Sequence, residues 1–437
     1  MPPILTDLLP KKSILIFSFF LLYVSLHAQE EQYRVKTNQS SCLKVRDEPN
    51  SDATSHECLA PGTAVTVISS VPFWREIRFA NNKHGWVAKK YIEPVETPPA
   101  GDTSNGIPPD AFLTIHFVDV GQGDAIWIQT YDDHIDGNGI FEGYSIVIDG
   151  GPYSADNSNP LLPYMESQGY HGADIEALVL THPHDDHYSG AETISRHFTV
   201  NHYYDPGYPT TLATYTAFKN AMKGTSGHPG KAKKVHIGQA NFGDINWGKE
   251  LKVEVLYAWK GDPQNLLGSG NTEVNNSSIV LRVQYGSHTF LFMGDAEGKD
   301  REDDPSQAKY VEKILLETVP AKLKATVLKI AHHGSETSST LPFIQAVDPD
   351  IVIVQSGRKP FGSGNTFLPD ITTLQRYCDH NPNIKIFRTD EKDKEAGHDA
   401  KHAVDGDHIV ITSNGAGKPQ VKALQAGHPV TGNFCGN

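Results

Sequence analysis

Apolar positions along the chain follow two different rhythms. Between Tyr33 and Val95 they come in short alternating runs broken by turn residues, CLKVRDEPN, GTAVTVISS, FWREIRFA and NNKHGWVAKKYI, the pattern of a small all-β unit. From Phe112 onward, longer apolar runs alternate with amphipathic stretches. LTIHFVDV, AIWIQT, YSIVIDGG, IEALVLTH, ATVLKIAHH, IVIVQSG, IKIFRTD and HIVITSN predict strands, and SSIVLRVQYGSHTFLFMGD predicts a hairpin turning at Tyr285-Gly286-Ser287-His288. LLPYMESQGY, GAETISRHF, SQAKYVEKILLETV and the stretch around ITTLQRYC predict helices. Strands interleaved with helices over 111–413 predict a layered α/β domain, and no internal repeat is visible.

Between the two regimes, Glu96 to Asp110 (ETPPAGDTSNGIPPD) is rich in Pro, Gly and polar residues and reads as an interdomain linker. Residues 414–437 are left as a C-terminal tail. Thr130 to Gly143 interrupts an early hairpin. Its DGNG core resembles a calcium loop, but the glutamate is Glu142 where that spacing needs position 143, so a turn-rich surface loop is expected.

The 437 residues, 38% hydrophobic and 21% charged, suit a globular protein of more than one small domain. Lys11 and Lys12 precede an apolar run from Ile14 to Leu26 and a small Ala28, the layout of a secretory signal peptide over 1–28. The run is shorter than the roughly 20 residues a spanning helix needs, so export to the periplasm or medium is expected, with no transmembrane segment in the mature chain. In an exported chain four cysteines without zinc-ligand spacing predict two disulfides, Cys42 to Cys58 and Cys378 to Cys435. The formal charge of −14 repels nucleic acid at long range, so nucleic-acid binding needs a local basic or metal-lined groove.

Chemistry concentrates in LVLTHPHDDHYSG, Leu178 to Gly190. His182 and His184 are two apart in a segment leaving a strand, so both can face one metal; Asp186 and His187 follow at once and can aim at a second. Asp149, Asp295 and the pair His332 and His333 each end another predicted strand, where open α/β layers put their sites.

This order of residues, His182-x-His184-x-Asp186-His187 with Asp149, Asp295 and His333, resembles the metallo-β-lactamase superfamily. The resemblance implies a four-layer αββα sandwich with a binuclear metal site. HFVDVGQGDA, NNSSIVLRV followed by MGDAE, LKIAHHGS, and SGR followed by RTD further resemble the metallo-hydrolase domain of the DNA-uptake competence protein ComEC, over roughly Leu113 to Ser413. By this resemblance His182 and His184 hold the first of two divalent metals, Zn2+ or else Mn2+. Asp186, His187 and His333 hold the second, Asp295 bridges them, and Asp149 orients the ligand loop. Leu43-Lys44-Val45-Arg46, Gly62, Trp74 and Gly85-Trp86-Val87 with Tyr91 resemble a bacterial SH3-like barrel over 33–95, which implies either peptidoglycan contact or a spacer role.

Two departures bear on substrate. Where a lactamase offers a third histidine the chain reads Asn275-Asn276-Ser277-Ser278, and the next histidine is His288, in the hairpin turn. After IVIVQSG the ComEC-like branch has Tyr-Gly-His-Pro, whereas this chain has Lys359-Pro360-Phe361-Gly362-Ser363-Gly364. Insertions at Gly207 to Gly230 and Glu391 to Gly406 are expected on the rim, the second with His398 and His402 solvated. His332 is assigned to the substrate oxyanion or to packing, with Gly334 turning the backbone there.

The expected activity is hydrolysis of a phosphodiester in nucleic acid, a nucleotide or a cell-envelope polymer, with Asp186 or Asp295 accepting the water's proton. The competing readings are a non-catalytic envelope-binding protein and a β-lactamase or other ester hydrolase.

Overall fold

A computed structural model describes residues 31–36, 42–50, 53–71, 74–80, 83–88, 91–94, 112–130, 143–153, 159–168, 170, 174–224, 231–248, 250–262, 264–357, 360–361, 366–390, 407–424, 432 and 434–435. The signal peptide, the linker, nearly all of the loop after Thr130, the Glu391 to Gly406 insertion and most of Lys359 to Gly364 lie outside them. The chain divides into two compact units, Met1–Glu96 and Thr97–Asn437.

The first unit is one antiparallel seven-stranded sheet. Its strands run in the order Ser55–Leu59, Leu43–Arg46, Lys83–Ala88, Trp74–Phe79, Ala64–Val71, Glu31–Val35 and Ile92–Pro94. Alternation puts Val35, Val45, Ile77 and Val87 in its core, and Cys42 is bonded to Cys58 at the sheet's edge.

In the second unit two sheets face each other. One has eight strands, in the order Ala232–Ile237, Thr199–Asp205, Asp174–Val179, Ser145–Gly150, Ala125–Gln129, Leu113–Phe117, His408–Ser413 and Gln420–Leu424. The other has six, Leu251–Tyr257, Val280–Tyr285, His288–Phe292, Val327–Lys329, Ile351–Val354 and Lys385–Arg388. Their central strands, such as Ala125–Gln129, Ser145–Gly150 and Ile351–Val354, are buried on both faces and read as nearly continuous apolar runs. Ile126, Ile128, Ile146 and Ile148 point between the sheets, while Trp127 and Val147 point to the helices Leu161–Ser167, Asp185–His197 and Ala213–Met222. Tyr310–Thr318, Leu341–Val347 and Ile371–His380 cover the other sheet through a third core. Helix, sheet, sheet and helix make four layers.

Several boundaries differ from the sequence reading. The ligand helix starts at Asp185, five residues before Gly190, because His184 caps it in extended conformation and Asp185 and Asp186 favour the positive end of the helix dipole. Of the insertion at Gly207 to Gly230, residues 213–222 are a packed helix with Tyr215, Phe218 and Met222 buried, not a rim loop. The C-terminal tail is not a separate segment, since Gln420–Leu424 pairs with His408–Ser413 and Cys435 is bonded to Cys378 on the last helix.

Close approach of the ligand helix to its sheet depends on two glycines. Gly190 donates its N–H to the Gly151 carbonyl at 2.8 Å. A methyl group on Gly150 would come within 2.1 Å of the Ala191 nitrogen. We expect Gly150→Ala to destabilise the second unit by about 2–3 kcal/mol, read as a lower denaturation midpoint; an unchanged midpoint would show that the helix is not seated this way.

Candidate metal centre

The strand Ser145–Gly150 ends with Asp149 in the left-handed region, at φ 56, a strained position for a non-glycine residue. Its carboxylate accepts the Thr181 N–H at 2.8 Å and the Thr181 hydroxyl at 2.7 Å, which ties it to the start of the ligand loop. It also accepts from His187 Nδ1 at 2.9 Å. Burial pushes this carboxyl up and His187 beside it opposes the rise; as the acceptor of that contact, it places a His187 proton on Nδ1 and turns Nε2 to the centre.

The same logic fixes two more rings. His333 Nδ1 lies 3.0 Å from the Gln355 carbonyl and 3.2 Å from Asp124, leaving Nε2 inward. His182 Nδ1 meets the hydroxyls of Thr181 at 3.0 Å and Ser278 at 3.3 Å. The Nε2 atoms of His182, His187 and His333 then converge on one oxygen, Asp295 Oδ2, at 3.6, 3.3 and 3.5 Å. Asp186 approaches His333 Nε2 at 3.5 Å, and His184 Nδ1 stands 3.0 Å from His182 Nε2.

Two ligand groups follow the expected division, His182 with His184 and Asp295, and Asp186 with His187 and His333, and a third, Asp124 with His187 and Asp295, overlaps both; in each the donor atoms lie within 4.8 Å of one another. Asp295 Oδ1 is buried with no hydrogen-bond partner, and inward nitrogens of His187 and His333 face each other at 3.3 Å. Lone pairs gathered this way, from imidazole and carboxylate, fit divalent ions of the zinc or manganese kind.

The charges of the cluster act strongly on one another. Burial would push His187 and His333 down, yet Asp295 first, then Asp149 for His187 and Asp124 for His333, hold both well above their usual range. Burial would raise Asp295, but His187, His333 and His182 bring it well below the usual carboxylate range. His182 goes the other way, since burial and the neighbouring His187 keep it neutral.

His332 sits at the lip, 22% exposed, with Nδ1 3.2 Å from Glu297 and Nε2 4.0 Å from Asp295 Oδ2. The backbone turn that separates it from His333 is not made by Gly334 alone. Both histidines are themselves left-handed, at φ 47 and 54, with Gly334 following at 79. Where a third histidine was absent from the sequence, Ser278 accepts the Asp295 N–H at 3.0 Å and Asn275 donates to Glu297 at 2.8 Å. His288 lies elsewhere, bonded to Ser413 and the Gly417 carbonyl. A cavity of about 310 Å³ opens over His184, Asp186, Asp295, His332 and His333.

Two residues of the centre were not singled out from sequence. Asp124, buried, pairs with the fully buried Lys329 at 2.7 Å while its other oxygen lies 3.2 Å from His333 Nδ1. Its loop packs closely, because Gly123 at φ 144 has no room for a methyl beside the Asp186 carbonyl. The available signals were Gly121 and Gly123 between two apolar runs and a lysine inside the apolar strand ATVLKIAHH, but 205 positions separate the partners.

Residues 140–358, half of the chain, match the family model described as metallo-beta-lactamase superfamily. The chain belongs to that superfamily. ComE operon protein 3 of Bacillus subtilis is 26% identical over 292 residues, covering 63% of this chain and 32% of that protein. Recombination protein 2 of Haemophilus influenzae is 27% identical over 198 residues, covering 45% of this chain and 19% of that protein. This chain thus aligns with a third or less of either relative's length. Among solved structures, the metallo-beta-lactamase fold protein YhfI from Bacillus subtilis aligns at a TM-score of 0.35 and 12% identity, covering 61% of this chain and 93% of that one.

Asp149→Asn should weaken metal binding by about 10- to 100-fold in competition with a chromogenic chelator, and unchanged affinity would remove its orienting role. Lys329→Met leaves Asp124 buried without its cation. It should cost about 3–5 kcal/mol of stability in denaturant melts, whereas a loss under about 1 kcal/mol would mean that Asp124 does not need that charge.

Proposed function

We propose that this member of the superfamily is an exported, metal-dependent phosphodiesterase. The observation that carries the reading is the convergence of three imidazole Nε2 atoms on Asp295 Oδ2, beside a first ligand group that has no third histidine. That group keeps a position for a phosphoryl oxygen, and Ser278, which stands nearby, is already engaged by the Asp295 N–H. When bound, two divalent ions, Zn2+ or Mn2+, supply a water of lowered pKa and neutralise charge on phosphoryl oxygens.

The chain's own residues do the rest. Asp149 and the Gln355 carbonyl hold the inward tautomers of His187 and His333, with Asp124 supplying negative charge 3.2 Å from His333 Nδ1. Asp186 or Asp295 accepts the proton of the attacking water. His332, backed by Glu297, meets the oxygen on which charge develops.

Three considerations bear on the substrate. The Haemophilus relative is named a recombination protein, which favours a nucleic acid or nucleotide. The signal-peptide layout and the N-terminal all-β unit, read as SH3-like and able to contact peptidoglycan, favour an envelope phosphodiester. The net charge of −14 weighs against long polyanions.

The mature protein, reconstituted in turn with zinc and manganese, should hydrolyse bis(p-nitrophenyl) phosphate, and His182→Ala or a chelator should lower turnover by at least about 100-fold. Chelator-insensitive turnover, or none with metal demonstrably bound, would overturn the reading.

A further inference from the structure

A cation stands on the cavity wall that the ligand set does not use. Arg301 is the one Lys or Arg among the described residues lining the cavity, and its side chain is 32% exposed. The guanidinium is gripped on both Nη atoms by Asp370, Nη1 to Oδ1 at 3.0 Å and Nη2 to Oδ2 at 2.7 Å. Asp370 is itself fixed, since Oδ2 also accepts the Glu336 N–H at 2.7 Å.

The backbone under Arg301 is held as firmly. Lys299, fully buried, donates Nζ to the carbonyls of Asp300 at 3.0 Å and Arg301 at 2.9 Å, and lies 3.3 Å from Glu336. Desolvating an ammonium costs several kcal/mol, and here that cost is set against fixing the two carbonyls on which Arg301 is mounted. Arg376 meets the same Glu336 carboxylate at 2.9 Å. A guanidinium held by side chain and backbone, with part of its surface reaching a cavity, loses little freedom on meeting a planar or tetrahedral anion. The other charged groups lining that cavity are the carboxylates Asp186, Asp295 and Glu297 and the histidines of the metal centre, so a second anion would share Arg301 with Asp370.

We propose that Arg301 is a specificity-determining residue that contacts a second phosphate of the substrate, adjacent to the one that is cut. The site thereby prefers phosphodiesters flanked by another phosphate across one sugar or polyol unit. This inference rests on the phosphodiesterase reading above.

The test compares metal-loaded mature protein on thymidine 5′-(p-nitrophenyl phosphate) and on the same ester carrying a 3′-phosphate. The 3′-phosphorylated ester should show a KM lower by about tenfold, and Arg301→Met should shrink that ratio below about twofold. Arg301→Lys, with charge but no fork, should keep part of it. Equal KM values in the wild type, or a ratio that survives Arg301→Met, would overturn the proposal and leave Arg301 and Asp370 as a loop clamp. No turnover of either ester would instead sink the phosphodiesterase reading, and this inference with it. If Arg301→Met does not fold, competition on the wild type decides. Thymidine 3′,5′-bisphosphate should inhibit about tenfold more tightly than thymidine 5′-phosphate, and equal inhibition would contradict the proposal.

Discussion

Carboxylates cannot be gathered inside a protein unless positive charge is gathered with them. Asp124, Asp149 and Asp295 are all buried within reach of the same imidazoles, with Asp186 beside them on the cavity side. Lys329 answers one of these charges. The histidines answer the others in part, and the inward lone pairs left over define where divalent ions belong. Much of the surrounding architecture follows from that requirement. The sheets are staggered so that the ends of Ser145–Gly150, Asp174–Val179, His288–Phe292 and Val327–Lys329 meet at one place, and strained backbone at Asp149, His332 and His333 aims the side chains once there.

Much of this centre was legible in sequence because its ligands cluster at strand ends. Four of the ligands fall within six residues, so spacing alone pointed to metal chemistry. Asp124 and Lys329 were not legible in the same way. Each is an ordinary polar residue next to an apolar run, and only the folded chain shows that they pair across 205 positions. The start of the ligand helix was misplaced for a related reason, since LTHPHDDHYSG carries no apolar period and the helix begins after the extended His184, which makes no side-chain cap bond, with an acidic first turn. The polar middle concealed the strands Ala232–Ile237 and Leu251–Tyr257, whose outer positions are exposed, so their apolar signal is diluted.

The departures from the superfamily pattern are coordinated. Asn275 and Ser278 occupy the stretch where a third histidine is missing, and each is bonded to a residue of the centre, Glu297 and Asp295. Glu297 in turn holds His332 at the lip, and its own N–H is fixed by Asn276 at 2.8 Å. The stretch without a histidine thus forms a hydrogen-bonded frame that sets His332 and the cavity wall.

Two divalent ions would be held by the two ligand groups, one by His182, His184 and Asp295 and one by Asp186, His187 and His333. Anomalous X-ray scattering from crystals of zinc-soaked mature protein, collected above and below the zinc edge, tests this assignment directly. Two peaks are expected, one between His182, His184 and Asp295 and one between Asp186, His187 and His333. Peaks elsewhere, or no peak with these imidazoles hydrogen-bonded to one another, would contradict it.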